Sequence, residues 1–152
     1  MPKGKALDLS ELLDEYYSKK FLSEIPHFVT RTRVLKPLDN ASTVPRQVHV
    51  YLEQAGNSFV IGLWDSAIAL ARACVEEVLK DRVGQYVRRQ KRDLVGWITE
   101  AETKRLLSSI QLRRARRIQH LGNVVLHERS ASEEEATDVI SRLREFVAEL
   151  YR

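Results

Sequence analysis

The last twenty-one residues constrain the chain most tightly. Ser132-Glu-Glu-Glu135 is followed by Ala136, Val139, Ile140, Leu143, Phe146, Val147 and Leu150, apolar positions at steps of three and four. That period lays one unbroken stripe along an α-helix and fits no strand. Ser132 and Glu135 have the spacing of a capping box, in which each side chain takes the other residue's exposed backbone N–H. A helix so built needs other helices to cover its stripe. Several other stretches of the chain are written in the same period, and only 6 Gly and 4 Pro in 152 residues leave room for few turns. The expected fold class is all-α, an antiparallel helical bundle.

Residues 8–22 read as a short amphipathic helix, and 23–45, punctuated by Pro26, Pro37 and Pro45, read as an irregular arm that wraps the core. Residues 1–46 thus form an N-terminal helix and arm, and 47–152 the bundle. Val48, Tyr51, Leu52, Ala55, Phe59 and Val60 mark a helix that stops near Gly62. Asp65 and Ser66 are cap types before an Ala-rich helix over 67–80, which Gly84 closes. Further helices start near Asp93 and around Ser109 or Gln111, the second running to about His127. The Ala-rich face at 67–71 and the stripe of the last helix offer apolar surface for a homodimer.

At 43% hydrophobic and 30% charged residues, the composition suits a globular domain rather than a disordered chain. The N-terminus lacks an apolar signal core and no stretch approaches a membrane span, so a cytoplasmic protein without a membrane partner is expected. Cys74 is alone, among Ala, Leu and Val, and is expected to pack as a small apolar group. Between Lys80 and Arg117 there are twelve Lys and Arg against four acids, a net of +8, so the remainder carries −4. A concentrated cationic segment attracts polyanions, and RNA is the partner this asymmetry suggests. Within it, Arg88, Arg89, Lys91 and Arg92 cluster in the connection between two helices, where loops often meet phosphate and as often only keep molecules apart.

On the helix over 111–127, Leu112, Ala115, Ile118, Gly122, Val125 and Leu126 share the face expected to be buried. Arg113, Arg116, His120, Asn123 and His127 fall within about 80° of arc opposite, along about 21 Å of axis. Two guanidiniums, two imidazoles and an amide suit phosphates and nucleotide edges. The arginines alone are explained by solvation; the two His and the Asn are not, because Lys and Glu make better helices. On the preceding helix, Arg72 and Glu76 are four apart. They either form an interhelical ion pair or flank Asn123 and His127, with Glu76 orienting an imidazole and Arg72 facing an anion.

Gly122-Asn123-Val-Val-Leu-His127, together with Trp64-Asp-Ser-Ala-Ile-Ala-Leu-Ala-Arg72-Ala-Cys-Val-Glu76 upstream, resembles the HEPN superfamily over about residues 47–151. It is most similar to the bacterial branch of undefined function that occurs alone or with restriction-enzyme subunits. The resemblance implies an antiparallel bundle, dimerisation, and RNA cleavage or RNA binding in defence and toxin systems, with a partner encoded nearby. Ribonuclease members carry Arg, a polar residue and then His. Here Asn123 and His127 match the last two, while Gly122 stands at the Arg position and cannot stabilise a phosphorane. Phosphoryl transfer without that cation is slow, so an RNA-associated or protein-interaction module without efficient catalysis is the expectation. A metal-independent ribonuclease with His127 as acid–base, and a purely structural dimerisation domain, are the alternatives. His120 and His127 lie about 10 Å apart, too far to share a metal. Phosphate-binding loops, dinucleotide turns and nucleophile elbows are missing too, so no metal or cofactor is expected.

Overall fold

The computed structural model describes residues 9–35, 37–38, 41–87 and 92–152. Six α-helices account for most of them: α1 (Leu9–Thr32), α2 (Arg46–Val60), α3 (Trp64–Arg82), α4 (Leu94–Thr103), α5 (Ser109–His127) and α6 (Glu133–Leu150). Among the described residues there are also single 3₁₀ turns at Ala41–Thr43 and Gly84–Tyr86, and no strand. None of these helices is long and apolar enough to cross a membrane.

The bundle is built around α3, which packs against α2, α4, α5 and α6. Its faces are made for that place. Ala67, Ile68, Ala71, Cys74, Val75, Val78 and Leu79 are all inaccessible to solvent. The small residues among them let neighbouring backbones approach, and the branched ones fill the gaps between. Cys74 donates to the Val48 carbonyl at 3.6 Å, and burial pushes its thiol up to about 12. It is an inert packing residue, as its sequence surroundings suggest.

Gly62 holds a φ of +83°. This left-handed conformation suits glycine, and it turns α2 back along α3. The start of α3 differs from expectation. The helix begins at Trp64, and its cap residue, Leu63, supplies no side-chain cap. Asp65 instead reaches across to accept from the Ala131 N–H at 2.7 Å, so it joins α3 to the approach to α6. α2 follows Pro45 without a side-chain cap, while α4, α5 and α6 each have one. Asp93 caps α4, Ser132 and Glu135 form their reciprocal box, and Ser108 and Gln111 form a second one at α5.

The apolar stripe of α6 and the Ala-rich face of α3 are spent inside the chain. Ala136, Val139, Leu143, Phe146 and Val147 are fully buried, as are Ala67 and Ala71. Neither surface is available to a second copy. On α5, Leu121 and Val124 join the core and Leu126 is exposed; the helix is rotated slightly from the expected face, because both α3 and α6 cover it.

The largest departure is α1. It continues past Leu22 and through Pro26 to Thr32, and the irregular part of the arm is confined to the residues after it. Proline removes one helical hydrogen bond and crowds the preceding turn. Two contacts bridge it: the Phe21 and Phe28 rings meet at 5.6 Å, and Glu24 reaches Arg31 at 3.7 Å. Arg31 is the fastener. It is only 8% exposed, donating to Glu133 at 3.0 Å and to the Val60 carbonyl at 3.2 Å, and lying 4.6 Å over the Trp64 ring. Beyond it, Val34, Leu35, Leu38 and Val44 pack on the core, while the rest of α1 leaves it.

Two consequences are measurable. Phe146→Ala should lower the unfolding free energy by about 3–5 kcal/mol in denaturant titration. The second concerns acid. The Arg129 guanidinium, and then the Ser132 backbone N–H, hold the Glu135 carboxyl down to about 2 from an ordinary 4.5. Its contribution is therefore complete above about pH 4.5 and is lost as pH falls towards 2. Glu135→Gln should be less stable than the parent at neutral pH, and the gap should close over that acid range.

Candidate functional site

The site is set by how closely α3 and α5 approach. They run antiparallel: Arg72 is paired with Asn123 and Asp65 with Ala131. At the crossing stands Gly122, buried and without a side chain. A Cβ there would lie 2.5 Å from Cδ, 2.8 Å from Cβ and 3.0 Å from Cγ of Arg72. The Arg72 side chain thus runs across the surface that Gly122 leaves open. Its Nε donates to Asn123 Oδ1 at 3.1 Å, which fixes the guanidinium beside the amide.

This geometry explains the glycine. Position 122 has no room for an Arg, nor for any side chain, while Arg72 keeps its course. The cation beside Asn123 comes from the neighbouring helix.

The remaining stripe residues lie as their spacing predicts. Arg113, Arg116, His120 and His127 are exposed, and Asn123 is half-buried beneath Arg72. Glu76 plays another part. It pairs with Lys80 at 2.9 Å, and Arg72 bonds Asn123 rather than Glu76. The network of Arg72, Glu76 and His127 is not formed among the described contacts. In the antiparallel register Glu76 stands level with Gln119 and His120, one turn along from Arg72.

The charge of the basic segment is less available than its sum suggests. Arg114 binds Glu145 and Glu149, each at 2.7 Å. Arg117 reaches Asp138 at 3.3 Å, and Arg116 pairs with Glu102. Arg92 meets Glu100 at 3.2 Å and lies 5.5 Å over Trp97. Arg88, Arg89 and Lys91 lie outside the described residues. On α5, Arg113 has no carboxylate partner among the described residues, and the outer nitrogens of Arg72 likewise have none. The positive field along this face is therefore carried by Arg113 at one end and Arg72 near the other, with two imidazoles beside them.

The tryptophans serve packing. Trp97 is buried under Arg92, and Trp64 stacks against Phe59 at 5.7 Å and holds Arg31. A groove lined by Leu35, Leu38, Leu52 and Arg144 runs between the arm, α2 and α6. It belongs to another side of the bundle, since α3 and α6 separate α2 from α5. Among the described residues no three of His, Cys, Asp or Glu gather into a group that could hold a metal ion.

No family model, no curated protein and no solved structure matches the chain.

The close approach has a direct test. Alanine favours helix over glycine by about 1 kcal/mol at an ordinary site. Gly122→Ala should nevertheless lower stability by about 1–3 kcal/mol, because the added methyl meets the root of the Arg72 side chain. Combining it with Arg72→Ala should recover only part of the loss, since the Cβ of residue 72 remains in the way. Thermal unfolding of the three variants reads the difference.

Proposed function

We propose that this chain is an RNA-associated module that binds phosphates along the α3–α5 face, without efficient catalysis. In keeping with its resemblance to the HEPN superfamily, its setting is a bacterial defence or toxin system. The observation that carries the reading is the placement of Arg72. Its guanidinium is held by Asn123 on the same face as the exposed His120, His127 and Arg113, while most other arginines of α5 are matched to acids of the bundle. A half-buried guanidinium with one edge fixed and the other edge open is preorganised for an anion. The imidazoles add donors at successive turns, suited to a strand of phosphates and base edges laid along the helix.

One observation favours a second reading, that of a metal-independent ribonuclease. The cation missing from position 122 is replaced in space by Arg72, one turn from His127. In such a reaction the RNA 2′-oxygen attacks phosphorus and the 5′-oxygen leaves. His127 would move the proton, and Arg72 would stabilise the charge of the phosphorane. His127 has no hydrogen-bond partner among the described residues to set its orientation. That is why binding, rather than turnover, is the first reading.

Binding to a single-stranded oligonucleotide should weaken steeply with salt, as each neutralised phosphate releases counterion. Arg113→Glu should lower the slope of log affinity against log salt by about one. Arg72→Gln should weaken binding about tenfold with the fold intact. His127→Ala, at an exposed position, should shift stability by no more than about 0.5 kcal/mol. Cleavage of RNA by the parent in the presence of chelator, lost in His127→Ala, would establish the ribonuclease. Absence of binding at low salt would overturn the RNA reading and leave a protein-interaction module, whose partner is to be sought among products encoded nearby.

A further inference from the structure

The turn between α4 and α5 is held in a conformation that its sequence does not favour. The Leu106 N–H donates to the Ala101 carbonyl at 2.9 Å, and the Arg105 N–H to the Glu102 carbonyl at 3.0 Å. This pair of bonds closes a helix when the residue after the cap turns left-handed, a position ordinarily given to glycine. Here it is Arg105, with a φ of +54°, the only non-glycine residue with positive φ among the described residues. A Cβ in that conformation crowds the backbone, so the folded state carries a cost that glycine would remove. The neighbours impose it. Leu106 packs on the core and Leu107 is buried, while Ser108 opens α5 with its capping box. The Arg105 side chain takes no part in holding the turn. Lys104 and Arg105 are exposed, and neither has a carboxylate partner among the described residues.

The turn stands at one end of the α3–α5 face. Arg116 and Asn123 are seven apart, two turns along one line of α5. Asn123 accepts from Arg72 of α3, and Arg116 pairs with Glu102 of α4. The end of α4 therefore borders the same edge of the polar stripe as Arg72 does, two turns nearer the start of α5. Arg105 follows Glu102 by one turn and precedes Ser109, the first residue of α5, by at most about 14 Å of chain. The connection thus returns from the level of Arg116 to the start of α5, and Lys104 and Arg105 stand at the Arg113 end of the face.

A cation at the end of α4 also complements the helix dipole. Lys104, the cap residue, has a φ of −87° and meets that need without strain, so the dipole does not explain an arginine at 105. Residues held in costly conformations cluster where the side chain serves binding. We infer that Arg105 is a phosphate-binding residue, present in place of glycine because its guanidinium extends the α3–α5 face beyond Arg113 along the same nucleic-acid strand. The inference rests on the reading of that face as RNA-binding and adds to it a contact from the end of α4. The strand would lie along α5 from this turn to Arg72, with a guanidinium at each end to take two oxygens of one phosphate.

Stability and binding then move in opposite directions at one residue. Arg105→Gly should raise the melting temperature by about 2–4 °C. The same variant should bind a single-stranded RNA oligonucleotide about three- to tenfold more weakly at low salt, with the slope of log affinity against log salt lowered by about 0.7. Arg105→Lys, which keeps both the charge and the strain, should keep the slope and the melting temperature of the parent. Arg46→Gln removes the same charge at the start of α2, on another side of the bundle, and should leave affinity within about twofold because distant exposed charges are screened. Weaker binding by Arg72→Gln with unchanged binding by Arg105→Gly overturns the inference and leaves the RNA reading standing. Absence of binding by the parent at low salt removes both. A lower melting temperature in Arg105→Gly overturns the inference by making Arg105 a structural residue, and equal weakening by Arg46→Gln overturns it by leaving only net charge.

Discussion

The function proposed for this protein depends on the contact at which Arg72 crosses Gly122. Two helices bearing ordinary side chains at this point would be held further apart, and the Arg72 side chain would have no path to Asn123. The missing Cβ lets the aliphatic part of Arg72 lie against the α5 backbone, with its Cδ nearest the vacant position. A long flexible cation is thereby confined between a helix and an amide. The confinement has an entropic cost, met in advance by folding, so an anion arriving at the outer nitrogens finds them already placed. The same contact explains why the polar stripe of α5 includes an asparagine. Its oxygen accepts from Nε, which an apolar residue could not do.

The rest of the bundle supports that crossing. Ion pairs between α5 and α6, through Arg114 and Arg117, and between α5 and α4, through Arg116, tie the cations of α5 to neighbouring acids. Surface pairs of this kind contribute little stability, but they decide where positive charge remains. Of a segment with a net charge of +8, α5 leaves Arg113 to the face, and Arg72, which lies outside that segment on α3, adds the second guanidinium. At the other end, Arg31 joins α1, α2 and α6 at one point. Because that junction lies near the end of α1, most of the helix extends away from the core it is fastened to.

Much of the fold can be read from the sequence because it is local. The stripe of α6, the cap at Asp93 and the box at Ser132 and Glu135 involve residues within one or two turns of each other. What escapes such reading involves distance. Pro26 signals a break, and only the Phe21–Phe28 and Glu24–Arg31 pairs, together with the burial of Arg31, show how the helix continues. Asp65 has the chemistry of a cap, yet its partner is Ala131, 66 residues away. The stripe from Arg113 to His127 is visible as a pattern at helical spacing. The pairing of Arg116 with Glu102 and of Arg114 with Glu149 is not. Gly122 is legible as a departure from the expected Arg, but its reason lies on α3. Sequence alone placed Glu76 as a candidate partner for an imidazole, while the structure gives it to Lys80, its neighbour one turn on.

The account turns on whether the guanidinium held over Gly122 meets the ligand. Arginine side-chain NMR measures this directly, because the Nε–Hε resonance of Arg72, hydrogen-bonded to Asn123, should stand apart from those of solvated arginines. During titration with a short single-stranded RNA at low salt, that resonance should move progressively and saturate together with the ring signals of His120 and His127. Binding that leaves Arg72 unmoved while other arginines shift would contradict the account.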